Sequence, residues 1–173
     1  TELSRTLGRR ATLHDIPDAA LADFARRSVD WIWLLSVWET GTAARIISRT
    51  NPEWRHEFEH TLPDLTDDGI AGSGFAITGY TVHRDLGGDA ALARIRQRLR
   101  QRGLKLMLDF VPNHMAIDHP WVQQHPGYFI AGSETDLERT PGNYFRATVA
   151  GQPRVFAYGR DPYFPGWPDT IQL

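Results

Sequence analysis

Asp109, Asn113 and His114 are the residues whose types and spacing first indicate chemistry. They stand in LMLDFVPNHM, residues 106–115, an apolar run that contains a carboxylate and ends on Pro-Asn-His. Packing in a protein core does not explain a carboxylate near the end of a buried strand. In parallel α/β sheets, ligands meet the protein at the carboxyl ends of the strands, so polar residues at that place are site candidates. From position alone, an equally weighted alternative is that Asp109 and Asn113 only satisfy loop amides.

Two apolar segments are predicted to position these residues as neighbouring strands. Residues 30–37 read DWIWLLSV and residues 104–111 read LKLMLDFV, and both are apolar at nearly every position rather than alternating. Such segments are typical of strands that are covered on both faces, as in parallel sheets. The pattern predicts that Trp31 and Trp33 lie in the core, and that the two strands are parallel neighbours with a right-handed crossover.

Each predicted strand follows a predicted helix. Asp15 and Pro17 indicate the start of a short helix that runs to about Ser28. Asp89 is predicted to cap a second helix, which stops at a left-handed Gly103. The inward stripe of the second helix is Leu92, Ile95 and Leu99. This order of elements predicts an α/β fold with a parallel sheet, either open or closed into a barrel.

The connections after the two strands are long, and long βα loops are often functional. Residues 38–88 are predicted to carry one helix, started by Asn51 and Pro52 and running to about Leu62, followed by a Gly-rich stretch. Residues 119–173 are rich in Pro, Gly and aromatic side chains and show no clear period. They are predicted to form a second layer of loops on the strand-end side.

Composition excludes several classes of protein. The chain has 173 residues, of which 41% are hydrophobic and 23% charged, so disordered and collagen-like classes are excluded. No apolar run approaches the roughly 20 residues that span a bilayer, and no membrane partner is expected. The net charge of −2 argues against nucleic acid as a partner. The absence of cysteine excludes a thiolate site and favours a cytoplasmic location.

A transition-metal site is a weaker alternative. His114, Asp118 and His119 are possible ligands, and this hypothesis predicts a hydrolase that loses activity on chelation and regains it with zinc. The spacing of these residues and of His125 matches no compact pair such as H-x-x-x-H on a helix. A transition-metal site is therefore less well supported by the sequence than a site without a transition metal.

DFVPNH at residues 109–114 resembles the first signature of the alpha-amylase family, glycoside hydrolase family thirteen. That signature is Asp, three mostly apolar or small residues, Asn and His, at the end of the third barrel strand. VDWIWLLSVWETG resembles the family's second strand, GSGFAITGYTVHRDLGG the segment after it, and AYGRDPYFPGWPDTIQL the approach to the fourth. The resemblance implies a partial (β/α)8 TIM barrel, from the end of strand 1 to before strand 4, with long βα loops. Residues 1–173 are then an incomplete N-terminal segment of an amylase-type catalytic barrel.

The resemblance also implies roles for single residues. His114 is expected to contact the sugar in the cleavage subsite and, as a residue of a strand-end loop, to add little to the core. Asn113 is expected to help hold a structural calcium ion or the loop, and Asp109 to shape the same site from the strand. Phe75 stands where the family usually has a tyrosine that stacks on the sugar, and Tyr80 lacks the acidic residue that often precedes it. At these two positions the sequence departs from the family's usual sugar-binding pattern.

The resemblance finally implies a retaining mechanism whose two carboxylates lie about 5 to 5.5 Å apart. The family places them after strands four and five, so no catalytic residue is expected in this sequence. The chain is expected to supply sugar-binding residues to an enzyme that acts on the α-glucosidic bonds of an α-glucan or a small α-glucoside. Two alternatives remain: an α-glucan transferase or isomerase of the same family, and a non-catalytic relative with the same barrel that binds carbohydrate or a partner.

Overall fold

The computed structural model describes residues 2–173. The helices are α1 (Glu2–Leu7), α2 (Asp18–Arg26), α3 (Thr42–Thr50), α4 (Pro52–Thr61), α5 (Gly88–Arg100), α6 (Trp121–Gln124) and α7 (Glu134–Arg139). The strands are β1 (Trp31–Leu34), β2 (Trp38–Thr40), β3 (Ile77–Val82), β4 (Lys105–Leu108), β5 (His114–Ala116), β6 (Ala131–Gly132), β7 (Tyr144–Val149), β8 (Gln152–Gly159) and β9 (Trp167–Gln172). Among the described residues, every helix is too short or too polar to cross a bilayer.

The residues divide into two compact units. The first contains the chain up to Glu39 together with Gly79–Phe110, and the second contains Thr40–Thr78 together with Val111–Leu173. In the first unit, β1 pairs in parallel with β4, with Trp31 opposite Lys105 and Leu34 opposite Leu108. The prediction of parallel neighbours is confirmed, although each strand has four residues and is shorter than its predicted span.

The core of the first unit forms between these strands and the helices that precede them. Ile95 and Leu99 of α5 are each 1% exposed and share an apolar cluster with Leu21 of α2. Ile32 and Leu34 of β1 pack against the same cluster. The predicted inward stripe of α5 is thus the face that joins helix to sheet.

The starts and ends of the helices agree only partly with those predicted from the sequence. Gly103 has a left-handed φ of 75°, as predicted for the stop after α5. Asp89 does not cap that helix, because its Oδ1 accepts a hydrogen bond from the Val82 backbone N at 2.8 Å. The helix instead begins after Gly87, whose φ is 96°. The first predicted helix corresponds to α2, which begins at Asp18 rather than near Asp15, and Asp15 belongs to a separate 3-10 turn.

The prediction that β1 and β4 are covered on both faces is wrong for the described residues. Trp31, Trp33 and Met107 are 53%, 56% and 44% exposed. Along β1, exposed residues alternate with half-buried ones. The apolar cluster of α2 and α5 covers only the face that carries Ile32 and Leu34.

In the second unit, α4 begins where the sequence predicts it. The Asn51 side chain accepts hydrogen bonds from the backbone N atoms of Glu53 and Trp54 at 3.0 and 3.1 Å, and Pro52 occupies the first turn. This arrangement satisfies two of the free N–H groups that every helix start exposes. The helix ends at Thr61, one residue before the predicted end.

The long C-terminal segment forms a sheet rather than the predicted layer of loops. Antiparallel pairing joins β5 to β9, β9 to β8, and β8 to both β6 and β7. The β7–β8 hairpin turns through Ala150 and Gly151, whose φ values of 49° and 77° match the two-residue turns that suit twisted hairpins. Pro153 lies within β8 and Pro168 within β9, and β5 and β6 have only three and two residues, so the alternation that predicts a strand is weak in much of this segment.

Candidate functional site

Asp109 joins the ends of the two parallel strands in the first unit. Its Oδ1 accepts a hydrogen bond from Trp33 Nε1 at 2.9 Å, and its Oδ2 accepts one from the Ser36 backbone N at 2.6 Å. Trp38 Nε1 donates to the Asp109 carbonyl oxygen at 3.0 Å. These contacts give Asp109 a positioning role at the strand end. A direct contact between Asp109 and a sugar stays a prediction.

Tyr80 belongs to an aromatic group in the same unit. Its ring meets Trp38 edge-on with centroids 5.3 Å apart and stacks on Phe110 at 5.8 Å. Phe110 is 76% exposed and Tyr80 is 41% exposed. The group therefore presents an aromatic face to solvent, and sugar binding by Tyr80 stays a prediction.

A cavity of about 800 Å³ lies within the second unit. Its walls come from α4, from the chain between residues 61 and 75, and from β5 and β9. Phe75 and His114, both predicted to contact sugar, line it together with Trp167. The volume lies in the range of small-molecule sites. The structure thus brings two of the predicted residues to one cavity, while Tyr80 and Asp109 belong to the first unit.

The imidazole of His114 is held inside the second unit. His114 is 8% exposed, and its ring meets that of Trp167 edge-on at 5.1 Å. The expectation that His114 adds little to the core is therefore wrong. Burial lowers the pKa of His114, and a hydrogen bond to the Phe75 backbone opposes that shift. The ring is consequently neutral near pH 7 and can meet a ligand hydroxyl without burying a charge.

Asn113 holds the loop that leads into β5. Its Oδ1 accepts a hydrogen bond from Gln172 Nε2 at 2.9 Å, and its Nδ2 donates to the Arg160 carbonyl at 3.3 Å. Among residues 2–173, no three His, Asp or Glu side chains are grouped so as to hold a metal ion. Calcium takes about six to eight oxygen ligands. The contacts of Asn113 support the loop-holding role, and a structural calcium ion at Asn113 stays a prediction.

The residues of the transition-metal hypothesis have structural contacts of their own. Asp118 Oδ2 accepts a hydrogen bond from the Ala43 backbone N at 3.0 Å, at the start of α3. His119 Nδ1 accepts one from the Trp121 backbone N at 3.0 Å, and burial lowers the pKa of His119. These contacts favour helix-capping roles for both residues.

Asp169 is one of the lining residues that the sequence did not predict. It lies on β9, not in a loop as the sequence predicts, and it is 3% exposed. Within the described part of the chain, its Oδ2 has no hydrogen-bond partner. Burial raises the pKa of Asp169 because the charged form loses its water. The available signal was WPDTIQL, which places a carboxylate inside a short strand-like run.

The burial of Asp169 predicts a pH-dependent effect of Asp169→Asn on stability. The pKa of Asp169 is about 3.9 in the unfolded chain and higher in the folded one, so ionisation destabilises the fold progressively as pH rises above about 4. Asp169→Asn removes this ionisation. We therefore expect its effect on the free energy of unfolding to be more stabilising, by about 1 kcal/mol, at pH 7 than at pH 4. Urea unfolding at both pH values measures this. Asp68→Asn is the control, since its side chain is 98% exposed, and an Asp169→Asn effect that is equal at both pH values contradicts the prediction.

Because Gly159 has no side chain, His114 can pack directly against its backbone. A Cβ atom at Gly159 would lie 2.7 Å from His114 Cβ and would also press on the Thr170 hydroxyl. Both neighbours are buried, so neither can move into solvent. We expect Gly159→Ala to lower the free energy of unfolding by about 2 kcal/mol, measured by urea unfolding. In the control Gly127→Ala, the new Cβ meets nothing within 4 Å, and equal stability of the two variants would contradict this packing.

One protein-family model and two curated proteins match parts of this chain. The family model described as alpha amylase, catalytic domain, matches residues 28–148. An alpha-glucosidase from Apis mellifera is 28% identical over an alignment of 111 residues, which covers 56% of this chain and 20% of that protein. An alpha-1,4-glucan:maltose-1-phosphate maltosyltransferase from Pseudomonas aeruginosa is 35% identical over 66 residues, 36% of this chain and 10% of that protein. The chain spans about a fifth or less of the length of these curated relatives.

The fold has relatives among solved structures. An alpha-amylase from Lactobacillus plantarum superposes with a TM-score of 0.54 and 20% sequence identity, covering 95% of this chain and 29% of that one. At this level of identity, the likeness concerns the fold alone. The mixed helices and strands of this chain match part of that fold.

Proposed function

Because the chain belongs to the alpha-amylase family, whose catalytic-domain model matches residues 28–148, we propose that it is part of a glycoside hydrolase that acts on α-glucosidic bonds. The substrate is an α-glucan or a small α-glucoside, and the mechanism is retaining. The observation that carries this proposal is the cavity of the second unit, where Phe75, His114 and Trp167 meet. In this proposal, residues 1–173 supply sugar-binding side chains of an amylase-type barrel.

The cavity offers the two kinds of contact that a sugar requires. Phe75 and Trp167 provide aromatic faces for the apolar side of a pyranose ring. We assign a sugar hydroxyl to the neutral imidazole of His114, whose Nδ1 lies 3.1 Å from Asn113 Nδ2 and whose ring also bonds the Phe75 backbone. A retaining hydrolase then needs one carboxylate to attack the anomeric carbon and a second group to protonate the leaving oxygen. We assign that pair to sequence outside this chain.

A transferase of the same family is the second candidate, because one curated relative is named a maltosyltransferase. A hydrolase and a transferase can share the contacts that hold the donor sugar, and they differ in whether water or a second sugar accepts it. Product analysis of the full-length enzyme with and without added maltose distinguishes them. Longer oligosaccharides formed at the expense of glucose release would favour the transferase.

Sugar binding by the cavity can be measured directly with Phe75→Ala. Losing one aromatic face should weaken maltotriose binding about three- to tenfold, the effect of roughly 0.5 to 1.5 kcal/mol. Isothermal titration calorimetry on the chain measures the affinity. The control is Phe164→Ala, because Phe164 is 67% exposed and does not line the cavity. Unchanged affinity in Phe75→Ala, or no binding by the unmodified chain, rejects the cavity as a sugar site.

A further inference from the structure

We propose that Gln172 is a positioning residue for His114, and that it acts through the side chain of Asn113 to hold the imidazole in the tautomer that carries its proton on Nε2. Gln172 on β9 lies directly opposite His114 on β5 in the antiparallel pairing. The catalytic consequence rests on the proposed function, since it takes His114 as the residue that meets the sugar. The tautomer itself follows from hydrogen bonds within the second unit.

The amide of Gln172 is oriented by two backbone groups. Its Nε2 donates to the Asn113 carbonyl oxygen at 2.7 Å, and its Oε1 accepts a hydrogen bond from the Arg160 backbone N at 3.1 Å. A backbone carbonyl can only accept and a backbone N–H can only donate. The two ends of the Gln172 amide therefore cannot be exchanged without the loss of both hydrogen bonds.

The orientation of Gln172 determines that of the Asn113 side chain. Gln172 Nε2 lies 2.9 Å from one end of the Asn113 amide, and because Nε2 can only donate, that end must be the oxygen Oδ1. The other end, Nδ2, donates to the Arg160 carbonyl oxygen at 3.3 Å. Asn113 is exposed, so water competes for these contacts, and the amide is expected to rotate more freely when Gln172 is replaced.

The tautomer of His114 follows from the Asn113 amide. Asn113 Nδ2 lies 3.1 Å from His114 Nδ1. An amide nitrogen can only donate, so Nδ1 accepts, and a neutral imidazole that accepts at Nδ1 carries its proton on Nε2. Burial lowers the pKa of His114 and keeps the ring neutral near pH 7, whereas its hydrogen bond to the Phe75 backbone raises the pKa, as a donated N–H does. Nε2 is therefore the donor of the ring, and in the proposed function it is the atom that donates to a sugar hydroxyl.

Gln172→Glu tests these contacts, because it places an acceptor where Nε2 stands. The Asn113 amide should then turn Nδ2 toward the new carboxylate and Oδ1 toward His114, which favours the tautomer with its proton on Nδ1. NMR of the chain with isotope-labelled histidine, at about pH 8 so that the ring is neutral, distinguishes a protonated ring nitrogen from a bare one. EDTA in the buffer keeps cations from the Asn113 oxygen, and His114→Ala identifies the signals of His114 among the seven histidines. We expect the ratio of the Nε2–H to the Nδ1–H tautomer to fall at least about tenfold.

The matched control is Gln123→Glu. The Gln123 amide also joins two backbone groups, since its Nε2 donates to the Thr148 carbonyl oxygen at 2.8 Å and its Oε1 accepts from the Ala150 backbone N at 3.4 Å. The control adds the same charge and disturbs the same kind of contact without involving Asn113, so the His114 tautomer should not change. Gln172→Met is the second variant if Gln172→Glu does not fold, and it should lower the tautomer ratio about threefold.

Kinetics of the full-length enzyme measure the consequence for the proposed reaction. We expect Gln172→Glu to lower kcat/KM on an aryl α-glucoside about tenfold, and to have no further effect in a His114→Ala background, because Gln172 acts through His114. An unchanged His114 tautomer in a folded Gln172→Glu or Gln172→Met chain overturns this inference and leaves the proposed function in place. A reversed tautomer with unchanged kcat/KM overturns the catalytic consequence, together with the assignment of His114 to the sugar.

Discussion

Replacing His114 by alanine in the full-length enzyme should lower kcat/KM on α-glucosides by about ten- to thousandfold, the effect of roughly 1.5 to 4 kcal/mol at the transition state. In the proposed role, the imidazole binds a hydroxyl of the reacting sugar, and this contact strengthens as the sugar ring changes shape. Loss of such a contact lowers kcat more than it raises KM. Steady-state kinetics with an aryl α-glucoside and with maltooligosaccharides measure both constants.

The burial of His114 requires that folding be measured beside the kinetics. Because the ring packs on Trp167 and is 8% exposed, the alanine variant also loses stability. Thermal unfolding of the variant shows whether it is folded at the assay temperature. The control is His56→Ala, because His56 lies on the exposed part of α4 and does not line the cavity. Unchanged kinetics in a folded His114→Ala enzyme reject the assignment of His114 to the sugar.

Residues 1–173 by themselves should hydrolyse no glycoside. This expected loss of activity is larger than the loss expected for His114→Ala in the full-length enzyme. Hydrolysis requires an acid for the leaving oxygen and a carboxylate for the anomeric carbon, and both must converge on one bond. The oxygens of Asp109 accept hydrogen bonds from Trp33 and Ser36, and Asp118 caps α3. The Oδ2 of Asp169 is buried without a described hydrogen-bond partner, and one carboxylate does not complete the reaction.

The test is to incubate the chain with an aryl α-glucoside and with maltooligosaccharides, beside the full-length enzyme and the chain with His114→Ala. No release of glucose or of the aryl group above the buffer rate is expected. Turnover that disappears in His114→Ala would show that a catalytic pair exists within these residues. Asp169→Asn and Glu57→Gln would then identify it, because both carboxylates line the same cavity.

Local patterns in the sequence determined the order of the elements and the position of the strand-end residues. Asn51 and Pro52 predict the start of α4 because the contacts that stabilise a helix start involve residues within one turn. The apolar character of β1 and β4 predicts their parallel pairing, and DFVPNH indicates the family that the catalytic-domain match shows. Each of these features depends on neighbouring residues, so one segment is enough to reveal it.

Tertiary structure alone decided which side chains are buried and which have hydrogen-bond partners. Asp109 and Asp169 look alike in sequence, but Asp109 accepts hydrogen bonds from residues more than seventy positions earlier, whereas the Oδ2 of Asp169 is buried without a described partner. The exposure of Trp31 likewise depends on which faces of β1 other elements cover. Burial and hydrogen bonding are properties of residues that are distant along the chain, so the sequence pattern around a single carboxylate or tryptophan cannot determine them.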